Sequence, residues 1–221
     1  MAITYAQLLQ AVQDYTENDE PTFVTNIPVF VQAAETRIYN SVTLPAMRKV
    51  STVVAMVATV NTISVPTDFL AMFEFSLTDS NGLQYFLLNK DVNFIREAFP
   101  ATLVTGQPTY YALHTVGAAT PFTTTLLLGP TPDANYATTI DYYAYPASIV
   151  SAGTSWLGNN FDSCLLYGTL REAYTFMKGE ADLIQQYENL YQESLMLLKG
   201  LVDGKDRTDT YRAGQVRLPP P

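Results

Sequence analysis

The longest run of helix-spaced apolar positions lies between residues 156 and 201. Leu165, Leu166, Leu170, Ala173 and Met177, joined by Tyr167, Tyr174 and Phe176, place apolar side chains on almost every face of its first half. That pattern predicts a helix buried on most sides. Asn160 is its expected N-cap, with the carboxylate of Asp162 near the positive end of the helix dipole. Gly168 offers a place where a neighbouring helix comes close, and Gly179 breaks the run. A second helix then carries Ile184, Tyr187, Tyr191, Leu195 and Leu198 at steps of three and four. Gln185, Gln186, Glu188, Asn189, Gln192 and Glu193 fill the opposite side, which predicts an amphipathic helix with one wet face. Gly200 and Gly204 are its expected stop.

The N-terminal region has the same period. Thr4 and Gln7 have the spacing of a capping box before Leu8, Leu9, Val12 and Tyr15. Residues 17–21 read as a polar turn. A second helix is expected near Asn26, with Pro28 in its first turn, where a missing amide proton costs nothing. Phe30, Val31, Ala34 and Ile38 form its stripe, and Pro45 closes the region.

Between residues 48 and 145 the period shortens to two. Segments 50–56, 59–65, 72–78, 83–88, 109–115, 123–128 and 138–145 are rich in β-branched and aromatic residues. Asn81-Gly82 predicts a hairpin turn, and residues 91–99 a short helix ended by Pro100. The fold class expected is therefore α+β. N- and C-terminal helices (1–46 and 154–202) form a bundle, a small antiparallel sandwich or barrel (47–153) is inserted in it, and an extended tail (203–221) follows.

Composition narrows the function. The chain has 221 residues, 48% apolar and 15% charged, with a formal net charge of -9. This fits a packed protein and disfavours a phosphate-neutralising nucleic-acid binder. One cysteine, Cys164, excludes an internal disulfide and a multi-cysteine zinc site. The start lacks the basic region of a signal peptide, and the longest apolar run, around residues 53–60, is too short to span a bilayer. A soluble protein without membrane partners is expected.

Candidate chemistry is sparse. His114 is the only histidine and stands in a predicted strand, without a nucleophile elbow elsewhere. Cys164 is expected to pack rather than react. Asp79, Asp133 and Asp141 fall at expected turns or strand ends, where aspartate bonds its own backbone. No phosphate-binding glycine loop is present. Tyrosine is abundant, with 15 copies. In Tyr110-Tyr111 and Tyr142-Tyr143-x-Tyr145, alternation sends one member of each doublet inward and the other outward. No catalytic, metal or cofactor site is expected.

Six motifs occur in one order: Phe30-x-x-x-Ala34-Glu35-x-Arg37-Ile38, Ile63-Ser64-Val65-Pro66-Thr67-Asp68-Phe69-Leu70, Gly106-x-Pro108-x-Tyr110-Tyr111, Leu128-x-Pro130-x-Pro132, Asp141-Tyr142-Tyr143, and Trp156-Leu157 with Leu165-Leu166-Tyr167-Gly168-x-Leu170-x-Glu172-Ala173. With them, the chain up to about residue 201 resembles the head-to-tail adaptors of tailed phages, of the tail tubular protein A type of short-tailed phages. The resemblance implies a non-enzymatic structural protein, made in the host cytoplasm and incorporated at the head–tail junction of the virion. It implies a homo-oligomeric, twelve-fold ring that binds the portal protein ring on one side and the tail nozzle protein on the other. DNA would pass through without specific binding, and lumenal carboxylates would repel it. Two other readings remain: another tail or head-completion protein, and a glycan-binding or cell-wall-degrading tail module built on the β insertion.

The tail holds Lys205, Arg207, Arg212 and Arg217 against Asp203, Asp206 and Asp209, a net of +1, which leaves -10 on the first 202 residues. It is expected to be poorly ordered alone and to order on the portal. Tyr211, Val216 and Leu218 would be its apolar anchors, and Arg207, Arg212 and Arg217 its charge contacts.

Overall fold

A computed structural model describes residues 2–52, 55–100, 104–116 and 123–206. The chain divides into two compact units: a helical unit up to Ala46 and from Pro146 onward, and a β-rich unit, Met47–Tyr145. Residues 146–153, expected in the insertion, group with the helices, because Ser148 caps a short helix, α4 (Ile149–Ala152), that is tied to the N-terminal helices.

In the helical unit, α1 (Tyr5–Thr16) opens with the expected capping box: Thr4 accepts from the Gln7 amide and Gln7 accepts from the Thr4 amide. Helix α2 (Pro21–Ser41) starts earlier than its sequence suggests. Pro21 occupies the first turn, and Pro28 lies inside the helix. An interior proline costs about 3 kcal/mol. Here the extra turns bury Phe23 and Ile27 in line with Phe30, Val31 and Ala34, and burying such side chains returns about 1.5–3 kcal/mol each.

After α4, Ser155 caps α5 (Trp156–Asn160) by accepting from the Gly158 amide. Asn160 is therefore the last residue of α5, donating to the Trp156 carbonyl, and not the N-cap of the long helix. Phe161 stands at the junction, and α6 (Asp162–Phe176) follows with no side-chain cap. Lys178, at φ 54°, and Gly179, whose amide bonds the Tyr174 carbonyl, turn the chain into α7 (Ala181–Asp206). The expected stop at Gly200 does not occur. A lone glycine weakens a helix by about 1 kcal/mol but ends it only where it adopts the left-handed cap. The helix continues to Asp206, so the boundary expected at residue 203 falls inside it.

The β-rich unit is a sandwich of two sheets. The first holds β1 (Arg48–Ser51) and β2 (Ala55–Met56) on one side of β11 (Tyr136–Tyr143), then β4 (Ala71–Thr78) and β5 (Gln84–Phe86). The second has the order β3 (Thr62–Ser64), β9 (Thr123–Gly129), β8 (Tyr110–Val116), β6 (Leu88–Asn89). A two-residue parallel pair joins β7 (Thr105–Gly106) to β10 (Thr131–Pro132), and β6 also runs parallel to β8, so the insertion is mixed rather than purely antiparallel. Along β5 and β6 the chain leaves the first sheet and enters the second, and from β2 to β3 it does so again. Strands that switch sheets give the sandwich its barrel-like corners.

The inward faces meet in one apolar core that includes Met56, Ile63, Phe75, Leu77, Tyr111, Leu126, Leu128, Ile140 and Tyr142. The outer face of the second sheet is covered by α3 (Val92–Ala98), which packs Ile95 on Ala112 and Leu127. The expected hairpin turn is present: Gly82 has φ 81°, and Asp79 Oδ1 accepts from the amides of Asn81 and Leu83 at 2.8 and 2.9 Å.

Candidate interaction surfaces

Cys164 and the aspartates singled out by the sequence hold structural positions. Cys164 is fully buried in α6, and burial pushes its thiol up to about 11. A thiol held protonated in this way is a poor nucleophile. His114 stands in β8 of the other unit, where its carbonyl accepts from Thr125 Oγ1 at 2.7 Å. Asp79 closes a turn, and Asp133 accepts from the Tyr136 hydroxyl at 2.7 Å. Asp141 is not at a strand end: it lies within β11 at a register shift and pairs with Arg48 at 3.1 Å. Among the described residues, no group of three or more metal-ligating side chains is gathered. No described helix is long and apolar enough to cross a membrane.

The tyrosine doublets alternate, with one difference. Tyr111 points into the sandwich, edge-on to Phe75, and Tyr142 also points inward, stacking on Phe69. Tyr143 faces outward against Phe73. Tyr110 is directed to the other face but is not left in solvent, because Phe94 and Phe99 of the α3 region pack on its ring.

One carboxylate is unexpectedly deep. Glu35, on α2, is 3% exposed and accepts from the Ile149 amide at 2.9 Å, so it caps α4 from another helix. Burial raises its pKa, opposed by the bonds from Ile149 and Ser148. The neighbouring phenol of Tyr39 is raised as well, by burial and then by the Glu35 charge. Two residues on, Arg37 reaches Glu172 of α6 at 3.1 Å and Glu188 of α7 at 3.9 Å. Arg171 bonds the same two carboxylates, which completes a four-membered network across three helices. At the centre of this packing, a Cβ on Gly168 would lie 3.2 Å from that of Ala34 and 3.3 Å from the Tyr191 ring. Both α2 and α7 therefore approach α6 at its glycine.

The β motifs have similar duties. Asp68 accepts from the Tyr142 hydroxyl at 2.9 Å and from Lys49 at 2.6 Å. The Lys49 ammonium holds the Asp68 carboxyl below the usual carboxylate range. The Leu70 amide bonds the Tyr143 carbonyl, so residues 63–70 latch the two sheets together. A Cβ on Gly129 would meet the Phe99 ring at 2.8 Å, which explains glycine beside Pro130. All six motifs thus carry packing and latching residues, the features that hold one particular fold.

A family model described as SU10 adaptor protein matches residues 3–219. The chain belongs to the SU10 adaptor protein family. Among curated proteins, none matches it. As a member of this phage adaptor family it is a structural component of the virion, of the head–tail junction. For a structural protein of this family the candidate sites are exposed apolar surfaces, and the structure presents several among the described residues.

On the outer face of the first sheet, the Arg48 guanidinium sits 3.6 Å above the Phe73 ring, with Val50 exposed beside it. On α7, Leu183, Leu190, Leu197 and Leu201 follow one flank; Leu197 is 63% exposed. Leu190 and Leu197 line a shallow cleft with Ser163 and Tyr167 of α6, Glu193 and Ser194. Sequence periodicity did not separate this flank, because it lies between the buried stripe and the wet face. The proposed tail contacts, Arg207, Tyr211, Arg212, Val216, Arg217 and Leu218, lie outside the described residues.

Proposed function

We propose that this SU10 adaptor protein assembles as a twelve-fold ring between the portal ring and the tail nozzle, and has no catalytic role. The family match over residues 3–219 carries this reading, since it embraces both units and most of the tail. The charge supports a channel that DNA traverses without binding. A formal charge of -9 repels a polyanion, the reverse of the counterion release on which nucleic-acid affinity rests.

Residues 207–221 serve as the portal strap, with Tyr211, Val216 and Leu218 as apolar anchors and Arg207, Arg212 and Arg217 as charge contacts. Residues 207–221 hold three arginines against Asp209, a net of +2 that leaves -11 on the first 206 residues, so the arginines are suited to carboxylates on an acidic partner surface. Its ordering entropy is offset by the contacts made on binding.

The test is mass in solution, by native mass spectrometry or light scattering, of the full chain with and without the cognate portal ring. A defined ring complex is expected with the portal; a chain that stays monomeric in its presence overturns the adaptor ring. A chain ending at Asp206 keeps all of α7 and is expected to lose portal affinity. Undiminished affinity would remove the strap.

A further inference from the structure

We infer that the leucine flank of α7 packs against the uncharged outer face of α2 on a second copy of this chain. The inference rests on the ring proposed above and names the side-to-side contact within it.

Two faces of the helical unit carry the argument. On α7, Leu183, Leu190 and Leu197 are seven residues apart and Leu201 is one turn further, so they form a line along the helix. Leu183, Leu197 and Leu201 are exposed and Leu190 is half-buried. Solvated leucines at a heptad interval are the knobs of a helix-to-helix seam without its second helix. Polar residues border the line, chiefly Gln186 and Glu193.

The second face is on α2. In its 21 residues the only charged side chains are Glu35, buried under α4, and Arg37, engaged with Glu172 and Glu188. Its outer surface consists of Thr22, Thr25, Val29, Gln32, Ala33, Thr36 and Asn40. Val29 at its middle is 57% exposed. A solvated helix of this length ordinarily carries charge on its wet side. Depletion of charged side chains marks the centre of protein contacts.

A ring closed by rotation needs two different patches on each subunit, one received by the other. These faces differ in composition, one a line of leucines and the other an uncharged surface around Val29. They lie on different helices of one unit, so each copy offers both. A leucine flank meeting another leucine flank would instead give a symmetric pair, which does not propagate into a ring.

The experiment places a photoactivatable benzophenone on Leu197→Cys in the full chain, mixing ¹⁵N-labelled and unlabelled copies before assembly with the portal ring. Cys164 is buried and its thiol raised, so the label goes to the introduced cysteine. Adducts between copies within residues 22–40 are expected. Adducts to the portal, to the chain's own tail or to α7 of another copy overturn the inference and leave the ring standing. If native mass shows no multimer with or without the portal, the ring reading fails and this contact fails with it. As a second measure, Leu197→Glu is expected to lower assembly by about tenfold or more, as for a residue central to an interface. Met196→Glu, on a neighbouring residue that is 72% exposed but turned about 100° away, is expected to change it less than about twofold. Equal effects from the two substitutions overturn the contact.

Discussion

The two units solve the same packing problem with different materials. The helical unit places a carboxylate, Glu35, inside its structure and ties α2, α6 and α7 with the Arg37–Glu172–Arg171–Glu188 network. The β-rich unit fills its core with apolar and aromatic side chains and leaves its ion pairs, Lys49–Asp68 and Arg48–Asp141, at the surface. Strand pairing already fixes register in a sheet, whereas helices slide unless directional groups stop them. Side-chain ion pairs therefore help to fix the helices, while backbone pairing sets register in the sandwich.

The largest effect that tests this contrast is expected in the sandwich. Phe75→Ala removes a ring that is 1% exposed and touches Tyr111, at a cost of about 3–5 kcal/mol. Urea unfolding should show the loss, and a cost below about 1 kcal/mol would mean the core reads as looser than its packing. Next comes Glu35→Leu, which keeps bulk but leaves the Ile149 amide without its acceptor, costing about 1–3 kcal/mol. Trp156, the only tryptophan, reports this unit by fluorescence.

The pH dependence of the same residue sharpens the point. Burial raises the Glu35 pKa above 4.5, so the folded state holds this proton more tightly than the unfolded chain. The associated stability is present below the unfolded value and is lost as pH rises through the folded one. Glu35→Gln keeps an acceptor without the charge, and its melting temperature should fall less than that of wild type over that rise. Parallel pH profiles for the two proteins would contradict the assignment.

The smallest effect is expected from Lys49→Ala. Both partners of the Lys49–Asp68 pair are 42% exposed, and such pairs contribute about 0–1 kcal/mol. A loss matching that of Glu35→Leu would break the contrast between the units.

Local patterns in the sequence were the legible ones. The Thr4 capping box, the Asp79–Gly82 turn and helix α3 behind Asp91 depend on a few adjacent residues, and each is present; the close approach at Gly168 joins distant helices but is marked by the missing side chain itself. What periodicity missed depended on distant partners. Pro28 is tolerated inside α2 because Phe23 and Ile27 find a core. The sheet switch of β5 into β6 is set by β4 on one side and β8 on the other. The border between the buried stripe and the wet face of α7 hid a leucine line, because a two-way division into buried and polar leaves no class for exposed leucine.

The seam between β1 and β11 has a further consequence. Arg48 pairs with Tyr143, and the Ala144 amide bonds the Met47 carbonyl at 2.8 Å, so the two ends of the β-rich unit are stapled side by side. A module whose ends meet can be exchanged for one of another size without lengthening or shortening the path of its host. Evolution could therefore rewrite the inserted unit, and whatever partner it faces, while the helical scaffold kept its spacing.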